Sequence, residues 1–464
     1  MNPITTNNLF EKRGTLIHTE EDNYRFLTEE PVDKVVVAMA VPTIISMLVT
    51  SIYNIVDTFF VGQINTQSTA AVGIVFSIMF IAQAFGFFFG HGSGNYISRE
   101  LGAKRHQNAV VMASNGFFLS FFFGLIFLVV CELLLRRLSL WLGSTPTILP
   151  YTERYMGIVL LGSPFLTSSL TLNNQMRLQG NARLAMVGIV SGAVLNCLLD
   201  PLLIFGFDMG VAGAAWATVI GQVVSFIILI AMTHRPENIT ISWSNFHPSW
   251  LTIKEIFYGG SPSLSRQGLG CIATIALNIA AGAFGDAAIA AMSIVNRITM
   301  FVMSAVVGLG QGFQPLCGFC YGARLYPRMR TAYWFTVKTG TFFLIIVGAV
   351  GIIFSDSIIL IFRDDPDVVR IGSAALVWQL CTYPLNAFSM TSNMMTQVCR
   401  KPWRANILAA SRRGLFFIPL IIVLPHWFGL TGVEMCQSCS DVLSFFLTVP
   451  IMAYTFRQIK EEGR

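Results

Sequence analysis

Between Lys34 and Arg99 the chain carries no lysine or arginine. A run this long and this apolar constrains the fold more than any other feature, because about 20 mostly apolar residues suffice for a helix to cross a bilayer. Composition agrees. Of 464 residues 54% are hydrophobic and only 12% charged, where a soluble domain would carry about 25% charged residues. Mean hydropathy is +0.64. The chain therefore reads as an integral membrane protein, all-α, with membrane lipid as its solvent. Its net charge of +6 is no sign of nucleic-acid binding, since in a membrane protein the distribution of charge matters more than its sum.

Residues 1–34 are polar and include Glu20, Glu21, Asp22, Glu29 and Glu30. They lack the basic start and short apolar core of a cleavable signal, so the first span is expected to act as its own insertion signal. Runs long enough to cross a membrane fall at 35–61, 70–98, 110–135, 152–176, 184–206, 211–233, 255–284, 288–318, 332–355, 371–398, 406–428 and 433–455. Basic residues follow the even-numbered spans: Arg99, Lys104 and Arg105, then Arg177 and Arg183, then Arg324, Arg328 and Arg330, then Arg400, Lys401 and Arg404, then Arg457, Lys460 and Arg464. Loops after odd-numbered spans are nearly free of them, apart from Arg136, Arg137 and Arg154, and Arg363 and Arg370. By the positive-inside rule both termini are expected in the cytoplasm of a multi-pass cell (plasma or inner) membrane protein.

The chain repeats itself. A shift of 220 lays Pro42 on Pro262, Gly62 on Gly282, "GHG" (90–92) on "GQG" (310–312), "GAK" (102–104) on "GAR" (322–324), Pro164 on Pro384 and Asn173 on Asn393. A shift of 219 lays Gly210 on Gly429 and Gly213 on Gly432. One register over about 200 residues marks a true repeat. Six spans per half is an even number, so the two six-helix lobes are parallel repeats related by a pseudo-two-fold axis along the membrane normal. The expected organisation is a cytoplasmic segment (1–34), a first lobe (35–233), a cytoplasmic linker (234–254), a second lobe (255–455) and a cytoplasmic tail (456–464).

Asp57 in "NIVDTFFVGQ" (54–63) lies inside the first span. An ionised carboxylate in an apolar helix costs several kcal/mol. Pro42, 15 residues earlier or about 22 Å along a helix, removes a backbone donor. It reads either as a bend filled by neighbours or as a hinge. Asn196 and Asp200 in the fifth span are four apart and share a helix face, and Thr218 in the sixth could add a hydroxyl. Two carboxylates, an amide oxygen and a hydroxyl suit a monovalent cation or a shared proton. A packing role leaves Asp200, before Pro201, near the helix end in water. The second half lacks these groups: Leu277 matches Asp57, and Phe416 and Leu420 match Asn196 and Asp200.

The stretches "TEEPVDK" (28–34), "AVPTIISMLVTSIYNIVDTFFVGQ" (40–63), "ISRELGAKR" (97–105), "RLQGNARLAM" (177–186), "NCLLDPLLIFGFDMGVAGAAWATVIGQ" (196–222), "GLGQGFQPLCGFCYGAR" (308–324) and "SCSDVLSFF" (438–446) together resemble the MATE (multidrug and toxic compound extrusion) family. The likeness covers about residues 28–456 and falls in the bacterial DinF-like and MepA-like branch. It implies a secondary active efflux transporter that antiports H+ or Na+ against small amphipathic organic compounds by alternating access, works as a monomer, confers antibiotic resistance and needs no cofactor beyond the coupling ion. It maps Asp57, Asn196, Asp200 and Thr218 onto cation-coupling residues. A branch that couples Na+ through acids in spans seven and ten is disfavoured, since the stretches "GGSPSLSRQGLGCIATIALNIAAGAFG" (259–285) and "QLCTYPLNAFSMTSNMMTQV" (379–398) carry no acid.

Polar residues in other spans are candidates for the substrate cleft: Tyr53, Asn54, Asn173, Gln175, Arg266, Gln267 and Asn278. Arg266, Arg297, Arg412 and Arg413 either line that cleft or snorkel to the membrane edge, and Asp441 is a potential partner for one of them. The pairs "CGFC" (317–320) and "CQSC" (436–439) have no clustered His and read as small apolar residues. The chain shows no H-E-x-x-H or G-x-S-x-G, so it is not read as an enzyme. A flippase or exporter of lipid-linked or endogenous metabolites is the alternative, with a channel behind it.

Overall fold

The architecture was obtained as a computed structural model, which describes residues 20–462. Of the expected terminal segments, residues 1–19, 463 and 464 therefore lie outside the described residues. The rest folds into α1 (Glu20–Thr28), α2 (Val32–Gly62), α3 (Thr66–Gly102), α4 (His106–Leu133), α5 (Leu135–Trp141), α6 (Leu149–Leu160), α7 (Ser163–Leu178), α8 (Ala182–Pro201), α9 (Val211–Thr233), α10 (Trp250–Gly282), α11 (Asp286–Gly322), α12 (Tyr326–Ile353), α13 (Ser355–Phe362), α14 (Pro366–Val398), α15 (Pro402–Ala410), α16 (Phe417–Phe428) and α17 (Leu430–Glu462). In lipid every backbone group needs an internal partner, and continuous helices supply one. Connections are short and capped locally. Asn65 accepts from the Ser68 N–H at 2.7 Å ahead of α3, and Ser249 caps α10 through the Thr252 N–H, as N-cap side chains do.

Among the described residues nine helical segments are long and apolar enough to cross a membrane, counting α8 with the π-helical turn after it and α15 with α16 as one segment each, and the bent pair α6–α7, kinked by 48°, makes a tenth. The two remaining expected spans, α10 and α14, are 33 residues each. Several boundaries differ from the expected ones for identifiable reasons. The fourth span breaks at Leu161–Gly162, where Pro164 opens α7. The eleventh is α15 and α16 joined by a π-helical turn at Ser411–Leu415. The linker ends at Ser249 rather than 254, because that residue caps α10, which starts at Trp250. The N-terminal segment contains α1, which docks on both lobes: Asn23 donates to Asn181 at 3.0 Å, and the Tyr24 ring meets Phe319.

The repeat is visible in backbone dihedrals. Gly210 has φ 56° and ψ −135°, and its mate Gly429 has φ 60° and ψ −136°. Lys104 and Arg324 adopt φ 57° and 58°. Gly180 and Arg400, also 220 apart, are again both left-handed. A left-handed residue other than glycine is uncommon, so the same conformation at matched positions shows one loop design used twice. The lobes meet at the end that carries α1 and the last turn of α17. There α3 packs on α10, and α2 and α3 pack on α11. Small residues permit the approach. A Cβ on Gly308 would stand 2.6 Å from Ile44 Cα, and one on Gly259 would stand 3.0 Å from Gly92 Cα. Towards the other face α2 and α11 are joined by a hydrogen bond between Ser51 and Ser304, at 2.9 Å.

Candidate functional site

α8 presents Asn196 and Asp200 one turn apart, against α9 and α2. Pro201 follows immediately and has no N–H, so the helix cannot close its next bond normally. It widens into a π-helical turn at Leu202–Gly206, closed by the Phe207 N–H on the Leu202 carbonyl. Such turns occur often at functional sites. Asp200 is 0% exposed and Asn196 2%. The Asn196 amide donates to Thr218 Oγ1 at 3.3 Å, and Thr218 donates to the Ala214 carbonyl. Asp57 on α2 lies within electrostatic reach of Asp200 and of Tyr53.

Four acceptor oxygens here are buried with no donor: Asp57 Oδ1, both oxygens of Asp200, and Asn196 Oδ1. Buried polar atoms are nearly always hydrogen-bonded, and two unpaired carboxylates together are more unfavourable still. A proton or a bound monovalent cation relieves this arrangement, since either supplies what the oxygens lack. Tyr155 on α6 belongs to the same cluster, its hydroxyl facing Thr218, Asp57 and Asp200. Sequence reasoning missed it, because a tyrosine in "TERYMG" resembles an interfacial residue. In the second lobe, Leu277 sits in an apolar core with Leu420 packed against it.

The other cleft candidates separate. Gln175 is buried in the first lobe, donating to Ser93 at 2.9 Å and the Ala113 carbonyl at 3.1 Å. Asn173 donates to the Ala185 carbonyl at 2.8 Å and ties α7 to α8. Asn393, its repeat-mate, donates likewise to the Ala405 carbonyl. Asn54 bonds the Thr50 carbonyl of its own helix. Gln267 is half-buried, while Asn278 and Arg297 are exposed. Arg266 donates to Asn393 at 3.2 Å. Pro42 is buried, and α2 runs through it as one helix.

Two of the arginines that follow apolar runs are buried inside helices. Arg177 is 2% exposed in α7. It donates to Asn174 at 2.6 Å and reaches across the lobe interface to Gln311. His91 lies beside it and contacts Ser263 of α10 at 3.1 Å. His91 and Gln311 are the central residues of the matched "GHG" and "GQG", so the repeat marked this contact without revealing its partner. Arg99 in α3 pairs with Glu255 of α10 at 3.1 Å and donates to the Val398 carbonyl at 2.8 Å. Arg400 pairs with the same Glu255. These ions lie on the wall of a cavity of about 510 Å³ at the closed end.

Two repeated helical lobes, with a buried acidic cluster in one and tight packing at one end, define a polytopic membrane protein built on internal duplication. The MatE family model matches residues 42–202 and 262–423, one segment in each lobe and together more than half of the chain. The protein belongs to the MatE family. It is 28% identical over 441 residues to the multidrug export protein MepA of Staphylococcus haemolyticus, with 94% of this chain and 97% of that protein covered. It is 27% identical over 416 residues to the MepA protein of Staphylococcus aureus (89% and 92% covered). Its fold matches an outward-facing multidrug resistance MATE family transporter of the MOP superfamily, with TM-score 0.89, 24% identity, and 95% of this chain and 99% of that one covered.

Proposed function

We propose that this protein is a secondary active efflux transporter that exports small amphipathic organic compounds in exchange for H+ or Na+. The observation that carries this reading is the set of orphaned acceptor oxygens on Asp57, Asn196 and Asp200, confined to one of two repeated lobes. Pure packing gives no reason for one repeat to hold unpaired acids where the other is apolar. A coupling ion does, because its binding stabilises one shape of the first lobe and its release favours another. Export of drugs is supported by the names of the MepA relatives.

In this reading the termini and the closed end face the cytoplasm of the cell membrane, so the conformation is the outward-facing one. Alternating access opens the packed end of α2, α3, α10 and α11, with Pro42 as the bend in α2 and the protein acting as a monomer rather than as an enzyme. The test is drug efflux in inverted vesicles. Asp57→Asn and Asp200→Asn are each expected to abolish gradient-driven transport while the protein still inserts and folds. Normal transport in both variants would rule this site out.

A further inference from the structure

The second lobe carries a charge arrangement that the coupling site does not use. The π-helical turn Ser411–Leu415 lies about midway along the α15–α16 span. Its wide turn directs both Arg412 and Arg413 into one small cavity inside the lobe. The turn is built in: Phe416 N–H closes it on the Ser411 carbonyl at 3.1 Å, and Ser440 Oγ donates to the Arg412 carbonyl at 2.5 Å. In the first lobe the matching residues are Gly192 and Ala193, so this feature belongs to the second repeat alone.

The two arginines are in different states. Arg412 is neutralised by Asp441, with Nε to Oδ1 at 2.7 Å. Asp441 is saturated, since it also accepts from Gln437 at 2.8 Å and Asn386 at 2.9 Å. Arg413, among the described residues, has no ion pair or hydrogen bond, and its guanidinium lies over Gly270 of α10. The local sum is two cations against one anion. In the same cavity the Tyr383 hydroxyl is buried near Thr299 and meets no partner in hydrogen-bond geometry. An unneutralised cation at membrane depth is expensive and marks a functional partner. Here it stands beside an idle hydroxyl donor, with Phe417, Met292 and Leu277 as apolar walls.

We propose that the second lobe holds a binding site for the carboxylate of an amphipathic organic anion, with Arg413 as its ion-pairing group and Tyr383 as a second donor. The cavity is about 20 Å³, room for little more than one water. It therefore admits one carboxylate oxygen, and the rest of the anion lies outside it. The Arg413 guanidinium meets that oxygen as a charge-assisted donor. That this anion is cargo rests on the export reading above; that it binds here does not.

The test is equilibrium dialysis of the purified full chain in uncharged detergent with naphthalene-2-carboxylate and, as the neutral match, naphthalene-2-carboxamide. The wild type is expected to bind the carboxylate about tenfold tighter than the amide, equivalent to about 1.4 kcal/mol. Arg413→Gln is expected to erase that preference with amide binding unchanged, Arg413→Lys to keep part of it, and Tyr383→Phe to weaken the carboxylate alone. Equal affinities in the wild type, or a preference that survives in Arg413→Gln, would overturn the proposal. If Arg413→Gln does not fold, an unaltered preference in Tyr383→Phe overturns it instead. Loss of the preference in Arg413→Gln with normal efflux by Asp57→Asn and Asp200→Asn would uphold this site and sink the export mechanism. Loss of efflux with the preference intact in Arg413→Gln would do the reverse.

Discussion

Replacing Gly308 by alanine sets a methyl group against the backbone of α2 at the lobe interface. The new Cβ would stand 2.6 Å from Ile44 Cα and 2.9 Å from Ile44 N, where ordinary contact begins near 3.4 Å, so the helices must part by 3.4 − 2.6 = 0.8 Å there. Backbone atoms cannot rotate away as a side chain can. If α11 pivots about the Ser51–Ser304 hydrogen bond, the lever is about 6 Å to Gly308 and about 27 Å to Gly322. The opening at the closed end then grows to about 3.6 Å by the same rise per residue. Overpacking of this kind costs about 1–3 kcal/mol, which moves a two-state equilibrium roughly 5- to 150-fold. Cys317 and Cys320 on α11 report it, since both are fully buried at this interface. Alkylation by N-ethylmaleimide, read site by site by mass spectrometry with exposed Cys381 as reference, is expected to accelerate severalfold in Gly308→Ala. Gly73→Ala, where an added Cβ meets nothing within 4 Å, is expected to leave the rates unchanged. Equal labelling of wild type and Gly308→Ala would refute the reasoning that close helix contact holds this end shut.

Glu255→Gln removes the one carboxylate shared by Arg99 and Arg400, and thermal unfolding in detergent is expected to show a loss of about 3 kcal/mol, the low end for a broken buried pair because Arg400 is half exposed. Arg400→Gln should lose much less, since Arg99 keeps the carboxylate. Asp441→Asn leaves Arg412 without its counter-ion and is expected to destabilise by about 3–5 kcal/mol, with much of that recovered in Asp441→Asn/Arg412→Leu; additive losses in this double-mutant cycle would show that the two side chains do not interact. Tyr155→Phe is expected to keep the unfolding temperature within a few degrees while slowing gradient-driven efflux, and unchanged efflux would remove the hydroxyl from the site.

The membrane class and the duplication were readable because both are patterns over many residues. The matched glycines and loop cations at 210 and 429, 104 and 324, and 180 and 400 reappear as matched backbone conformations. The acidic cluster was legible for a related reason: an acid inside an apolar run has no cheap explanation, and the four-residue spacing of Asn196 and Asp200 fixes a common helix face. What was not legible depends on helix ends and on partners. Arg177 and Arg99 follow apolar runs and so resemble loop cations, yet α7 and α3 extend past the apolar window and carry both inside. Gln175 shares its polarity with cleft residues, but the partner that decides its role, Ser93, is 82 residues away in the chain. Arg412 and Arg413 are adjacent and chemically alike; only the π-helical turn and the position of Asp441 divide them into a neutralised cation and a free one.

The central claim is that the orphaned oxygens of Asp57, Asn196 and Asp200 exchange an ion for cargo. Proteoliposomes of the purified protein test it most directly, with an imposed pH or Na+ gradient and a panel of cationic and anionic fluorescent compounds added outside. If the claim holds, an acidic or Na+-rich interior drives uptake of at least one compound, the interior loses that ion as the compound enters, and both fluxes vanish in Asp57→Asn and in Asp200→Asn. Uptake that ignores both gradients, or that runs undiminished in the two variants, would contradict it.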